Sequence, residues 1–309
     1  MRYGKTISTT FFYTIMWLLN TGAIASDRLP VFVSILPQKY FVEKIGGDQV
    51  MVSVMVQPGA SPSTYEPRPR QMIKLSTARI YYAIGVLFEN VWLNKFSAAN
   101  PDMLIVHTDS GITKIRMTSH ANDSLHEEIL DPHIWLSPSL VKVQARNILD
   151  ALLAVDPANQ TEYTDRYNAF LQELSILDTE LSTLFSDKIE QAPGFMVFHP
   201  SWGYFAKAYG LQQIPIEIEG KTPKPARIRQ LIKNARRQGI RVIFVQPQFS
   251  ARNAAIIAKA IGGKVTTADP LAPDWAANLR RQARIFESAL RSNKPNCLTG
   301  RNFLAKVGD

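Results

Sequence analysis

Cysteine is almost absent: Cys297, near the end of a 309-residue chain, is the only one. A single thiol excludes an intramolecular disulfide and a thiolate zinc cluster, and its position excludes a lipid-anchoring cysteine at an export-signal cleavage site. Long apolar runs are also missing. Nothing after the first 26 residues approaches the roughly 20 apolar residues of a spanning helix, so no intrinsic membrane span is expected. Acidic excess is lacking too, since 35 Lys and Arg stand against 26 Asp and Glu, a net charge of +9. A nucleic-acid protein would gather its cations with interleaved aromatics on one face. Here they read as scattered apart from clusters such as Arg227 to Arg241, which fit a solvated helix face, so no nucleic-acid partner is expected. A small basic excess can still help docking to an acidic partner or a membrane surface.

What is present starts with an export signal. Arg2 and Lys5 give the positive start, Phe11 to Leu19 the apolar middle and Ala23-Ile24-Ala25 the small-residue cleavage site. Asn20, Thr21 and Gly22 interrupt the apolar run, which is too short for a retained anchor. Cleavage before Ser26 leaves 284 residues and a net charge of +7. The expectation is a monomeric protein diffusing in a periplasm, not a lipoprotein, and long enough for two lobes.

Strand-length apolar runs alternate with helix-length amphipathic stretches through both halves, the pattern of parallel sheets flanked by helices. Val31 to Leu36, Met51 to Val56, Ile80 to Ile84 and Leu104 to His107 are the strands of the first half; Phe195 to Phe198, Ile214 to Ile218, Val242 to Val245 and Val265 to Thr267 those of the second. From about Asn159 to Lys188 there is no glycine or proline, and Tyr163, Tyr167, Phe170, Leu174, Leu177, Leu181 and Leu184 recur at spacings of three and four. One stiff helix of roughly 45 Å follows, with small lobe movements in place of wide opening. The fold class is α/β: a signal over 1–25, an N-terminal lobe over 26–157, a linker helix over 158–190 and a C-terminal lobe over 191–309. Thr113 to Asp131, with His120, Asp123, His126, Glu127 and Glu128, reads as a polar loop.

Ligands of such sheets bind beyond the carboxyl ends of the strands. Gln57 to Pro67, Asp131 to Pro138, His199-Pro200-Ser201-Trp202 and Ala268 to Leu271 lie in such places. His133, His199 and Asp269 each adjoin a proline there. Two imidazoles and a carboxylate suit zinc, iron or manganese and are poor for calcium or magnesium. Each alone is a weak signal, because a single histidine is more often a hydrogen-bonding residue, and Asp269 could equally cap a turn.

Several strings carry a resemblance. Asp-Pro-His-Ile-Trp-Leu-Ser-Pro at 131–138, Phe-His-Pro-Ser-Trp-Gly-Tyr-Phe at 198–205, Tyr-Gly-Leu at 209–211 and Ile-Glu-Gly-Lys at 218–221 are similar to the zinc/manganese (cluster A-I) substrate-binding proteins of metal-uptake ABC transporters. Val-Ile-Phe-Val-Gln-Pro-Gln-Phe-Ser at 242–250 and Asp-Pro-Leu at 269–271 continue it, in one order from about Val31 to Leu290. The resemblance implies two lobes on a rigid helix, a metal held between them, no enzymatic activity, and an ABC permease with its ATPase as partner. Carried over, His133 is the family's second ligand, His199 its third and Asp269 its fourth. The chain departs at the first: Ser63, in Pro62-Ser63-Thr64-Tyr65-Glu66-Pro67, stands where the family commonly has a histidine, and Gln246 where members often carry a glutamate. Three protein ligands with water, an approach by Glu66, and loss of binding are the open outcomes, the first being favoured. Zinc is expected, manganese or iron(II) being the alternatives.

Rival readings use the same residues differently. Two histidines, an aspartate and a water also compose an open zinc-hydrolase site, for which Glu66 is the obvious base. No His-Glu-x-x-His and no Gly-x-Ser-x-Gly supports it. A receptor for a chelated or organic ligand would line its cleft with arginines or aromatics, and an adhesin-like surface protein would call for the anchoring cysteine that is missing.

Overall fold

The computed structural model describes residues 28–117, 130–186, 194–217 and 223–292. The expected export signal, His120 and His126 with their acidic neighbours, the string at 218–221 and Cys297 lie outside them.

Two four-stranded parallel sheets form, one from each half of the chain. The first holds β1 (Leu29–Val33), β2 (Val50–Val54), β3 (Ile80–Ala83) and β4 (Leu104–His107) in the order β2-β1-β3-β4, with α1 (Leu36–Gly46), α2 (Pro69–Leu75) and α3 (Glu89–Ala99) between them. α4 (Pro138–Val155) and α5 (Gln160–Ser186) follow. The second sheet takes β5 (Gly194–Val197), β6 (Gln212–Pro215), β7 (Val242–Val245) and β8 (Lys264–Thr267) in the order β6-β5-β7-β8, with α6 (Gly203–Ala208), α7 (Pro225–Arg237) and α8 (Arg252–Ala260) between them, and ends in α9 (Trp275–Ser292). The eight expected strands are present, displaced at their ends by up to three residues. Inner strands β3 and β7, Ile-Tyr-Tyr-Ala and Val-Ile-Phe-Val, are buried throughout, as a sheet covered on both faces requires.

Helix α5 is the periodic segment of the sequence. Its 27 residues span about 40 Å, and Tyr163, Phe170, Leu174, Leu177, Leu181 and Phe185 are its buried residues. It packs on α1 and α4 from the first half and α9 from the second. Phe41 of α1 meets Trp275 of α9 edge-on at 5.0 Å and Phe170 of α5 at 6.1 Å. The two lobes therefore share one apolar core. Lys44 with Glu173 and Arg280 with Glu180 add ion pairs on either side. Both pairs are solvent-accessible and are each worth about 0–1 kcal/mol, so burial, far more than charge, holds the lobes to the helix.

In the first sheet the connections diverge between β1 and β3, where a ligand crevice would be expected. That position is filled by the protein's own Glu89. Its carboxyl group accepts hydrogen bonds from Ile84 N at 3.0 Å, Gly85 N at 2.7 Å and Ser34 Oγ at 2.5 Å. Burial pushes its pKa up from 4.5 to about 7, against the pull of those donors. The folded form therefore holds the proton longer than an unfolded chain. Stability from this group is complete below the unfolded value and is lost as pH climbs towards 7, by at most about 1.4 kcal/mol per pH unit. Urea midpoints at pH 5 and pH 8 test this: wild type should lose more stability across the interval than Glu89→Gln, and equal losses would contradict it.

Candidate metal centre

In the second sheet the divergence lies between β5 and β7, and His199 emerges there, two residues after β5. Gln246, just past β7, clamps its backbone: Oε1 accepts from His199 N at 3.1 Å, and Nε2 donates to His199 O at 2.7 Å and to Ser201 Oγ at 3.0 Å. A glutamate here could accept but not donate, so the departure at this position gives an uncharged, two-way clamp. Phe249 stacks on the imidazole at 4.9 Å and 21°. Glu217, two residues past β6, meets Nδ1 at 2.6 Å.

His133 arrives differently. It follows no strand and instead caps the short 3-10 turn Ile134–Leu136 that leads into α4. Asp131 holds it by accepting from its backbone N at 2.9 Å and contacting Nδ1 at 2.6 Å, both through Oδ1. Asp131 is itself gripped by the other lobe, since Tyr204 of α6 donates its hydroxyl to Asp131 O at 2.9 Å. The rings of His133 and His199 then stand 5.2 Å apart at 70°. Two imidazoles from opposite halves of the chain are thus brought together.

Both Nδ1 atoms face buried carboxylates, which accept but cannot donate when ionised. Nδ1 is then the protonated nitrogen, and Nε2 keeps its lone pair, the arrangement that orients and strengthens metal-binding histidines. Burial lowers the His199 pKa and the neighbouring His133 lowers it further, while Glu217 pulls the other way. The net direction is down, so the imidazole stays neutral and able to bind a cation at neutral pH.

Asp269 lies two residues past β8, with Oδ1 accepting from Leu271 N at 2.9 Å and Gln248 Nε2 at 3.4 Å. Oδ2 has no hydrogen-bond partner among the described residues. Ser63 sits in an exposed turn where its backbone N donates to Ser61 Oγ at 3.3 Å, and Glu66 is exposed nearby. Neither hydrogen-bonds to His133, His199 or Asp269. Among the described residues no group of three or more His, Cys, Asp or Glu side chains stands close enough to share one ion. The histidine pair is assembled; the carboxylate is near in the chain's logic but turned to its own loop.

Asp131 and Glu217, the partners of the two histidine rings, are residues that reading the sequence missed. Asp131 was visible as an acid two residues before a histidine. Glu217 lies inside the apolar run that predicts a strand over Ile214 to Ile218, although a lone carboxylate there is itself a signal. Gly203 is a third: a Cβ on it would come within 2.7 Å of Asp131 Oδ2. With His133 as a ligand, Gly203→Ala, by pushing the Asp131 carboxylate from it, should weaken zinc binding by about 10–100-fold, the usual cost of disturbing a residue that orients a ligand. Isothermal titration with unchanged affinity would show that this close approach has no part in orienting His133.

The family described as "ZnuA: Zinc-uptake complex component A periplasmic" matches residues 31–289. A crystal structure of ZnuA is 44% identical, covers 85% of this chain and 100% of its own, and superimposes with a TM-score of 0.80. A zinc-bound ZnuA with residues 138–173 deleted is 43% identical, covers 87% and 100%, and has the same TM-score of 0.80. The high-affinity zinc uptake system protein ZnuA of Bacillus subtilis (strain 168) is 25% identical over 255 residues, 79% of each chain. The iron-binding protein YfeA of Yersinia pestis is 26% identical over 257 residues, 80% of this chain and 81% of that one. With the match running through both sheets and the helix between them, the chain belongs to the family of zinc-uptake complex component A, periplasmic metal-binding proteins of ABC-type uptake systems.

Proposed function

We propose that His133 and His199, each through Nε2, and Asp269, through Oδ2, are the protein ligands for the transported ion, zinc before manganese or iron(II). The observation that carries this reading is the pair of imidazoles 5.2 Å apart, each with Nδ1 committed to a buried carboxylate. A histidine serving only as a hydrogen-bonding residue has no need of such a partner on one nitrogen and a facing imidazole beside the other. Asp269 completes the set, with Oδ1 on Leu271 N and Oδ2 left for the ion. Water takes the remaining position, because Ser63 offers only a neutral hydroxyl. Three protein ligands with water favour a harder or weaker-bound ion than a site with a third imidazole.

In this reading the exported chain, freed of its signal before Ser26, captures the ion as a monomer and hands it to a permease whose ATPase drives import. A hydrolase would need a base beside the metal-bound water. Glu66 is exposed, and Asp131 and Glu217 are committed to the histidines, so none of these three described carboxylates is spare for that task. Model esters should therefore not be turned over in the presence of zinc.

Competition titrations with zinc, manganese and iron(II), on wild type and Ser63→His, test the ligand set. Wild type should bind zinc, and Ser63→His should tighten it about ten-fold or more, equivalent to about 1.4 kcal/mol. Absence of binding to all three ions would sink the assignment. Unchanged zinc affinity in Ser63→His would mean that Ser63 does not border the site.

A further inference from the structure

The positive charge of this protein is concentrated in one place. Residues 220–268 contain eleven Lys and Arg and no Asp or Glu, so the rest of the chain, with 24 cations and 26 acids, has a net charge of −2. The apparent scatter along the sequence conceals a single basic layer. Strand order explains where it lies. Going from β5 to β6 and from β6 to β7 runs in opposite directions along the sheet, so right-handed crossovers put α6 on one face and α7 with α8 on the other. α6 and α9 face α5 and the shared core, where Phe205 and Phe286 are buried. Leu231 and Ala235 of α7 and Ala254, Ile257 and Ala258 of α8 are buried in a separate cluster against the opposite face of the sheet. The outer sides of α7 and α8 are left to solvent.

Arg229, Lys233, Arg236 and Arg237 on α7 and Arg252 and Lys259 on α8 are all exposed there, and none forms an ion pair with a described acid. Between Arg252 and Lys259, one helical turn from each, Ile256 is 51% exposed. We propose that this layer is a membrane-docking surface: it rests the protein on anionic phospholipid, with the cations at the headgroups and Ile256 reaching the acyl boundary. An acidic protein partner is the weaker fit, because a broad two-helix face with a projecting aliphatic side chain between long cationic arms matches an interface of headgroups over hydrocarbon. For a protein that must find a permease within a membrane, such contact confines the search to the bilayer surface. The proposal is independent of which residues hold the metal.

Vesicle co-sedimentation tests it, using the exported protein with phosphatidylcholine alone or mixed with phosphatidylglycerol. Binding should require phosphatidylglycerol and vanish at high salt. Each removed cation should weaken partitioning about five-fold, so Arg229→Gln/Lys233→Gln/Arg237→Gln together should cost about a hundred-fold. Ile256→Ser should weaken it without changing the salt dependence. Zinc affinity and melting temperature should be unaltered in both variants, which separates a lost surface from a lost fold. Equal binding to neutral vesicles, or an unimpaired triple variant, would overturn the proposal. Failure to bind vesicles together with cation-dependent binding to polyglutamate would overturn it in favour of an acidic protein partner.

Discussion

His133→Ala and His199→Ala should each reduce zinc affinity by more than about 100-fold, beyond the range seen when only the residue behind a ligand is disturbed. The physical reason is that the two imidazoles are the part of the site already assembled. Their rings face each other across the two halves of the chain, and each is fixed in tautomer by its own buried acid. On the proposed ligand set, removing one deletes a metal bond and also takes the ring N–H from its carboxylate, leaving Glu217 without that donor and Asp131 with the backbone N–H of residue 133 alone on Oδ1. The His199 variant has a further mark. Phe249 loses the ring on which it stacks, while Gln246 keeps its contacts with the backbone of residue 199 and with Ser201 Oγ, so local order around Phe249, just past β7, should loosen while the first sheet is unaffected. Competition with a chromogenic chelator measures the affinity, and amide exchange the local loosening. Wild-type affinity in either variant would remove that histidine from the site.

Much of this was readable without coordinates, for a physical reason. The strands are continuous apolar runs because both sheets are covered on both faces, and α5 shows its period because one side of it is buried along its whole length. Strand ends are less legible, because the chain leaves the sheet while the next residues remain apolar. Taking Ile214 to Ile218 as strand when β6 ends at Pro215 concealed Glu217, the partner of His199. The candidate ligands were legible because they adjoin prolines in turns after strands, and His133 because of the string around it. What could not be read is distance. Nothing in the order of residues says that Asp269 turns Oδ1 to Leu271, that Glu89 fills the crevice of the first sheet, or that cations spaced along fifty residues share one face.

Trp135 connects the turns of His133 and Asp269 in the two lobes, and replacing it should have a large effect on stability. Its indole Nε1 donates to Pro270 O at 2.7 Å, and its own carbonyl accepts from Trp275 Nε1 at 2.7 Å. Asn278, one turn further along α9, donates to Asp269 O at 2.7 Å. His133, two residues before Trp135, and Asp269, just before Pro270, are thereby held in one closed ring of contacts. Trp135 is 1% exposed, so Trp135→Ala removes a large buried side chain and should destabilise by about 3–5 kcal/mol. Such a loss says only that the residue is core. Trp135→Phe is more informative, because it keeps most of the apolar volume but leaves Pro270 O without its donor, at a cost of about 1–3 kcal/mol. If the tie positions the carboxylate relative to the histidines, this variant should also bind zinc about ten-fold more weakly while its fold persists. If Trp135→Phe is destabilised as stated yet binds zinc like wild type, the indole bond stabilises the junction of the lobes without setting the geometry of the ion's ligands.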